Sequence, residues 1–212
     1  MGPGQGSGTV SLTDRKNEVT RVLIRRAAMA VLAQRGLRAT IDEIAATAGI
    51  SPRTVFRHYA GYDDLVADAI GAMSEELGAP IDGLPDPVAD FYGWLWRLAL
   101  EAQTRNAAVL GRAFWDFYNP PTDTSAAILT ALAERRLRRA KWMDYIVETA
   151  WKHAGGTGAV PREVEEVFYL LFSAYATHPL ATDFGHAPEQ AATLTTNVLM
   201  ALLESAVAKQ RG

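Results

Sequence analysis

The chain has 212 residues, 49% of them hydrophobic and 21% charged, with a formal net charge of −3. That composition is ordinary for a globular protein built on one sizeable core or on a small and a larger domain. The absence of cysteine excludes disulfides and thiolate metal sites, and no stretch approaches the roughly 18 uninterrupted apolar residues of a membrane-spanning helix.

Residues 1–12, with Gly4, Gly6 and Gly8, read as a disordered arm that has neither a signal-peptide core nor the preceding strand a phosphate loop needs. Helical periodicity begins at Arg15 and places Val19, Leu23, Ala27, Ala30 and Val31 on one face as far as Gly36, a natural helix stop. Thr40, three residues before Glu43, forms a capping box for a short helix ending near Ala48, with Ile41, Ile44 and Ala45 inward. Gly49 and Ile50 make a turn, Ser51 caps a third helix, and Pro52 opens it. That helix ends near His58, and a fourth runs from Tyr62 to about Leu77. Gly78–Pro87 reads as a linker. Further helices are predicted over Pro87–Arg105, Ala107–Tyr118, Asp123–His153, Pro161–Thr177 and Pro188–Gln210, separated by Asn119-Pro120-Pro121, a glycine-rich turn at 155–158, and His178-Pro179. The fold class is therefore all-α, with about nine helices. Residues 13–61 form a three-helix head with a helix-turn-helix, 62–78 a connecting helix, and 79–212 a larger helical domain.

Charge divides along the same line. From Val10 to Ala60 nine basic residues face four acidic ones, giving plus five, so the remaining segments carry minus eight. A basic head on an acidic body points to a polyanion at the head. The third helix exposes Arg53, Thr54, Arg57 and His58, and such a helix fits the major groove of DNA. Arg53 is placed for a bidentate bond to guanine, and Arg57 and His58 for phosphate or the far side of the groove. Thr40 and Ser51, at helix N-termini, suit phosphate oxygens.

The run Phe56-Arg57-His58-Tyr59-Ala60-Gly61-Tyr62-Asp63-Asp64-Leu65 after this turn resembles the DNA-binding domain of TetR-family transcriptional regulators, a likeness that covers roughly Asn17 to Ala72. The resemblance implies a dimeric regulator, most simply a repressor, working in the cytoplasm on a near-palindromic duplex and released by a small apolar or aromatic effector. It implies no cofactor. Three positions depart from the family pattern. Phe56 stands where a tyrosine hydroxyl commonly meets phosphate, and Tyr62 stands where the family has lysine. Tyr59 replaces a phenylalanine and is expected in the core with its hydroxyl near the surface. The expected DNA contacts are accordingly Arg38, Thr40, Ser51, Arg53, Thr54, Arg57, His58, Tyr59 and Tyr62, with the phenol of Tyr62 as a phosphate donor and Arg15 and Lys16 in support.

The resemblance also implies effector binding and dimerisation in the larger domain. All five tryptophans fall between residues 94 and 151. Phe91, Trp94, Leu95, Leu98, Phe114, Trp115, Phe117, Tyr118, Trp142, Tyr145, Ile146 and Phe172 either line an apolar pocket or fill a core. Arg112 and Asp116 have the spacing of a helical ion pair, and the basic run Arg135, Arg136, Arg138, Arg139 and Lys141 reads as solvated surface. Wide apolar faces carrying Phe168, Leu171 and Tyr175, and Leu199, Leu202, Leu203 and Ala206, suggest a four-helix dimer interface.

The four histidines, His58, His153, His178 and His186, show no metal-ligand spacing, and no nucleophile elbow or phosphate loop is present, so neither catalytic nor metal residues are expected. The alternative is a regulator of the same kind that answers to a protein partner or to no ligand.

Overall fold

The computed structural model describes residues 12–75, 81, 83–108 and 112–212, and the side chains of 15–75, 81, 83–107 and 115–212. Apart from Leu12, the expected arm lies outside the described residues, as do residues 78–80 and 82 of the expected linker and the side chains of Arg112 and Phe114. The described residues form ten α-helices and no strand: α1 (Leu12–Arg35), α2 (Ile41–Ala48), α3 (Pro52–His58), α4 (Tyr62–Glu75), α5 (Phe91–Ala108), α6 (Arg112–Tyr118), α7 (Ala126–His153), α8 (Arg162–Leu171), α9 (Ala174–Thr182) and α10 (Pro188–Arg211). A 3-10 turn at Gly36–Arg38 joins α1 to α2.

The tenth helix arises where one was expected over Pro161–Thr177. The chain leaves the helix at Phe172 and is extended at Ser173 before α9 begins. Ser173 bonds through its hydroxyl to the Leu170 carbonyl, the local competition with the helical ladder that short hydroxyl side chains offer. Two side chains of α5 serve carbonyls at the break: Gln103 donates to Leu171 at 3.3 Å and Asn106 to Phe172 at 3.4 Å. Conversely, Pro179 does not separate two helices but sits inside α9.

The helices bury two cores. One gathers Ile24, Ala28 and Leu32 of α1, Ile44 of α2, Val55 of α3 and Leu65, Val66 and Ile70 of α4, and takes in Phe117 of α6 and Ile128 and Leu132 of α7. The other joins Trp94, Leu95 and Leu98 of α5, Met143, Ile146 and Trp151 of α7, Phe168 of α8, Phe172 just beyond it, and Leu199 and Leu203 of α10. Two of the expected pocket residues are thereby corrected. Phe117 belongs to the head-side core, and Tyr145 faces solvent with 64% of its surface exposed. Trp94, Leu95, Leu98, Ile146 and Phe172 are buried together, with Phe91 and Trp142 half-buried at the edge of the same core. Trp115 is half exposed, and it and Tyr118 set their rings edge-on to Tyr175.

Of the expected interface residues, Phe168, Leu199, Leu203 and Ala206 are corrected for the same reason: they are buried within their own chain, against α5 and α7, and present no surface to a second copy. Leu171 and Leu202 are half-buried and Tyr175 is exposed. By length and composition alone α10 is apolar enough to cross a membrane, yet Leu199, Leu203 and Val207 are packed inside the body.

Three arginines of the basic run on α7 act as staples. Arg135 donates to the Met73 carbonyl of α4, Arg136 to that of Phe117 at the end of α6, and Arg139 to that of Tyr169. Cations suit the carbonyl-rich ends of helices, so α7 is the post to which α4 and α6 are tied.

Candidate nucleic-acid interface

The turn between α2 and α3 is set by local chemistry. Thr40 accepts the Glu43 amide while the Glu43 carboxylate accepts the Thr40 amide, which closes the capping box of α2. Gly49 ends that helix with φ of 67°, a left-handed conformation that side chains other than glycine rarely adopt. The Ile50 amide then returns to the Ala45 carbonyl at 3.0 Å. Ser51 accepts the Thr54 amide to start α3, and Val55 is fully buried beneath it.

With Val55 inward, helical geometry turns Arg53 and Arg57 outward, and both are exposed. Arg38, on the 3-10 turn, is exposed as well, and none of the three forms an ion pair among the described residues. Thr54 lies on the flank, its hydroxyl 3.0 Å from that of Ser51. The hydroxyls of Thr40 and Ser51 are thus engaged in capping.

His58 is half-buried rather than on the outward face. It turns toward α1, where it lines an open cleft of about 350 Å³ with Asn17, Glu18, Arg21 and Arg57. Its Nε2 is shielded from solvent, so the expectation of His58 on the outward face with Arg53 is corrected, although it shares the cleft with Arg57.

The two tyrosines expected at DNA are committed to the head itself. Tyr59 is 2% exposed, donates to Asp68 Oδ2 at 2.7 Å and lies under the Arg21 guanidinium, 4.7 Å from the ring centre. Its pKa is pushed up, chiefly by burial and then by Asp68. Tyr62 donates its only hydroxyl proton to the Leu37 carbonyl at 2.7 Å. Burial, helped by the charges of Asp63 and Asp116, holds that phenol up at about 12. A phenol whose proton is already given to a carboxylate, as in Tyr59, or to a backbone carbonyl, as in Tyr62, has none for a phosphate, which corrects both expectations.

The positive field is also narrower than the residue count suggests. Asp68 sits 3.8 Å from both Arg21 and Arg25, and Arg35 pairs with Glu43 at 2.7 Å. The Arg35 bond holds the Glu43 carboxyl below the usual range. The exposed basic residues of this region that form no ion pair among the described residues are Arg15, Lys16 and Arg26 on α1 and Arg38, Arg53 and Arg57 at the turn and α3.

One residue escaped the sequence reading. Asp116, expected to pair along its own helix with Arg112, is buried and accepts the Leu37 amide at 2.8 Å. Nothing in the sequence signals this contact, because its two ends lie 79 positions apart.

Residues 24–69 match the family model of bacterial regulatory proteins of the tetR family, a span that holds α2, the turn and α3. Among proteins of curated function none matches the sequence. Solved structures share the whole fold at low identity. A protein of Pseudomonas aeruginosa PAO1 classed as a transcriptional regulator superposes with a TM-score of 0.64 at 18% identity, over 91% of this chain and 94% of its own. A tetR-family transcriptional regulator of Streptomyces coelicolor gives 0.62 at 22% identity, over 91% and 83%. The transcriptional regulator FadR of Bacillus subtilis, in complex with stearoyl-CoA, gives 0.55 at 14% identity, over 87% and 97%.

Proposed function

We propose that this chain, a transcriptional regulator that carries the DNA-binding domain of the tetR family of bacterial regulatory proteins, acts as a homodimeric repressor on a near-palindromic duplex and is released by an apolar effector. One observation carries the reading: Val55 and Tyr59 anchor α3 in the head, and this turns Arg53 and Arg57 outward together. An arginine on such a helix reaches guanine O6 and N7 with two hydrogen bonds, and its neighbour neutralises a backbone phosphate. Arg38 supplies a second phosphate contact beside the helix. Such a regulator works in the cytoplasm, where the duplex is.

Pairing of two chains rests on the faces of α8 and α10 that their own chain leaves uncovered. Leu170, Leu194 and Val198 are exposed, and Gln103 holds their neighbours Leu171 and Thr195 together from beneath. A two-fold pair through this surface sets two copies of α3 on successive turns of one duplex face, roughly 34–36 Å apart or somewhat more. The effector reading is supported by the aromatic content of α5 to α8 and by the acyl-CoA held by the Bacillus subtilis structure of the same fold. An effector that favours a body geometry incompatible with that spacing lowers DNA affinity, and DNA lowers effector affinity by the same factor.

Selection from random duplexes with the purified chain tests the DNA reading. A recovered sequence with two inverted half-sites supports it, and no enrichment over the starting pool overturns it. Thermal shift with stearoyl-CoA against free coenzyme A tests the effector: stabilisation by the acylated form alone supports an apolar site.

A further inference from the structure

The outward face of α3 carries one residue that charge does not explain. Phe56 is 56% exposed, three residues after Arg53 and next to Arg57. It stands a quarter-turn from buried Val55, so its ring lies on the same side of the helix as Arg53, about one turn further along. Among the described residues it has no ring contact, hydrogen bond or charged partner. A single exposed apolar side chain is commonplace on a protein surface. Phe56 is not isolated, however: it lies about 60° round the helix from Arg53, on the flank of the surface that Arg53 and Arg57 direct at a polyanion, where a polar residue would suit water and phosphate better.

In the major groove the one apolar feature on a base edge is the 5-methyl group of thymine. We propose that Phe56 is a specificity-determining residue whose ring packs against a thymine methyl within one or two base pairs of the base that Arg53 engages. The inference rests on the reading of α3 as the groove helix and deepens it. Phenylalanine has no hydroxyl for a phosphate, so apolar contact is the discrimination this side chain can supply. The arginines read hydrogen-bond acceptors, and the ring reads a methyl.

The test deletes that methyl and nothing else. In the duplex recovered by selection, each thymine of one half-site is replaced in turn by deoxyuridine, which keeps the pairing and every hydrogen-bonding atom. For the unaltered chain, one replacement lowers affinity by about 4-fold, the worth of one methyl-sized apolar contact. With Phe56→Ala, thymine and deoxyuridine at that position bind equally, while the base preference assigned to Arg53 persists. Phe56→Leu retains part of the difference. Because Phe56 is exposed, the Ala variant keeps the thermal unfolding midpoint of the parent, and this is measured on the same samples. If Phe56→Ala retains the parent's thymine-over-deoxyuridine ratio, or if no thymine of the half-site shows a methyl effect, the proposal is wrong. A chain that enriches no duplex overturns the groove reading itself, an outcome distinct from a bound duplex without methyl dependence.

Discussion

Asp116 of α6 accepts the backbone N–H of Leu37 at 2.8 Å, and Tyr62 of α4 donates to the carbonyl of the same Leu37 at 2.7 Å. The 3-10 turn that delivers the chain to α2 is therefore held at both polar groups of one residue by two different helices. One of those helices, α6, belongs to the body, where Arg136 ties its end to α7.

Asp116→Ala removes the acceptor and leaves the Leu37 amide without it. A loss of about 1–3 kcal/mol in unfolding free energy is expected, and Asp116→Asn, which keeps a carbonyl acceptor, recovers most of it. Urea midpoints give the first comparison. Faster hydrogen exchange at the Leu37 amide in the Ala variant alone places the effect at this contact, and equal exchange in all three proteins contradicts it.

Gly49 has a φ of 67°, and no atom lies within 4 Å of where a Cβ would sit. Gly49→Ala therefore isolates the backbone cost of the left-handed conformation, about 1–2 kcal/mol, without a steric clash. Asn, which adopts this conformation more readily, is expected to cost less than Ala in the same denaturation series.

The phenol of Tyr62 is raised from 10.0 to about 12. A raised value means that the folded chain keeps a proton the unfolded chain gives up. Its contribution to stability is whole below pH 10 and is lost between about pH 10 and 12. Tyr62 is only part-buried, so solvent screening reduces the effect to on the order of 1 kcal/mol. Tyr62→Phe starts less stable at neutral pH, for want of the bond to Leu37, and then declines less than the parent across that alkaline window. Parallel decline of the two proteins contradicts the assignment.

Arg53 is exposed and takes part in no ion pair among the described residues, so Arg53→Ala leaves unfolding unchanged within about 0.5 kcal/mol. Its expected effect is on the selected duplex: a 5- to 150-fold loss of affinity, on the order of 1–3 kcal/mol, with relaxed preference at one base position. Affinity of the parent falls steeply as salt rises, because phosphate contacts release counterions. A salt-independent affinity argues against Arg38 and Arg57 at phosphates.

Val198→Glu and Leu170→Glu place charges on the uncovered faces of α8 and α10, where each is exposed in the single chain. Sedimentation is expected to show a folded monomer for the double variant and a dimer for the parent. An unchanged dimer moves the interface elsewhere.

Much of the head was legible because its signals are local. A capping box spans four residues, a glycine turn is as short, and a helical face repeats every three or four, so Thr40, Gly49, Ser51 and Arg53 each act through near neighbours. What the residues determine by themselves is the run of helices through α4, the helix-turn-helix, and the outward pair of arginines opposite Val55.

Tertiary structure decided the rest. Whether Phe168 and Leu199 face a second chain or their own, whether Phe117 serves the body or the head, where α8 breaks from α9, and what the hydroxyl of Tyr62 bonds to all depend on neighbours tens of residues away. An apolar periodicity shows that a face is buried without showing against what. A polar group likewise takes the nearest buried partner the fold supplies, and sequence distance carries no record of that choice.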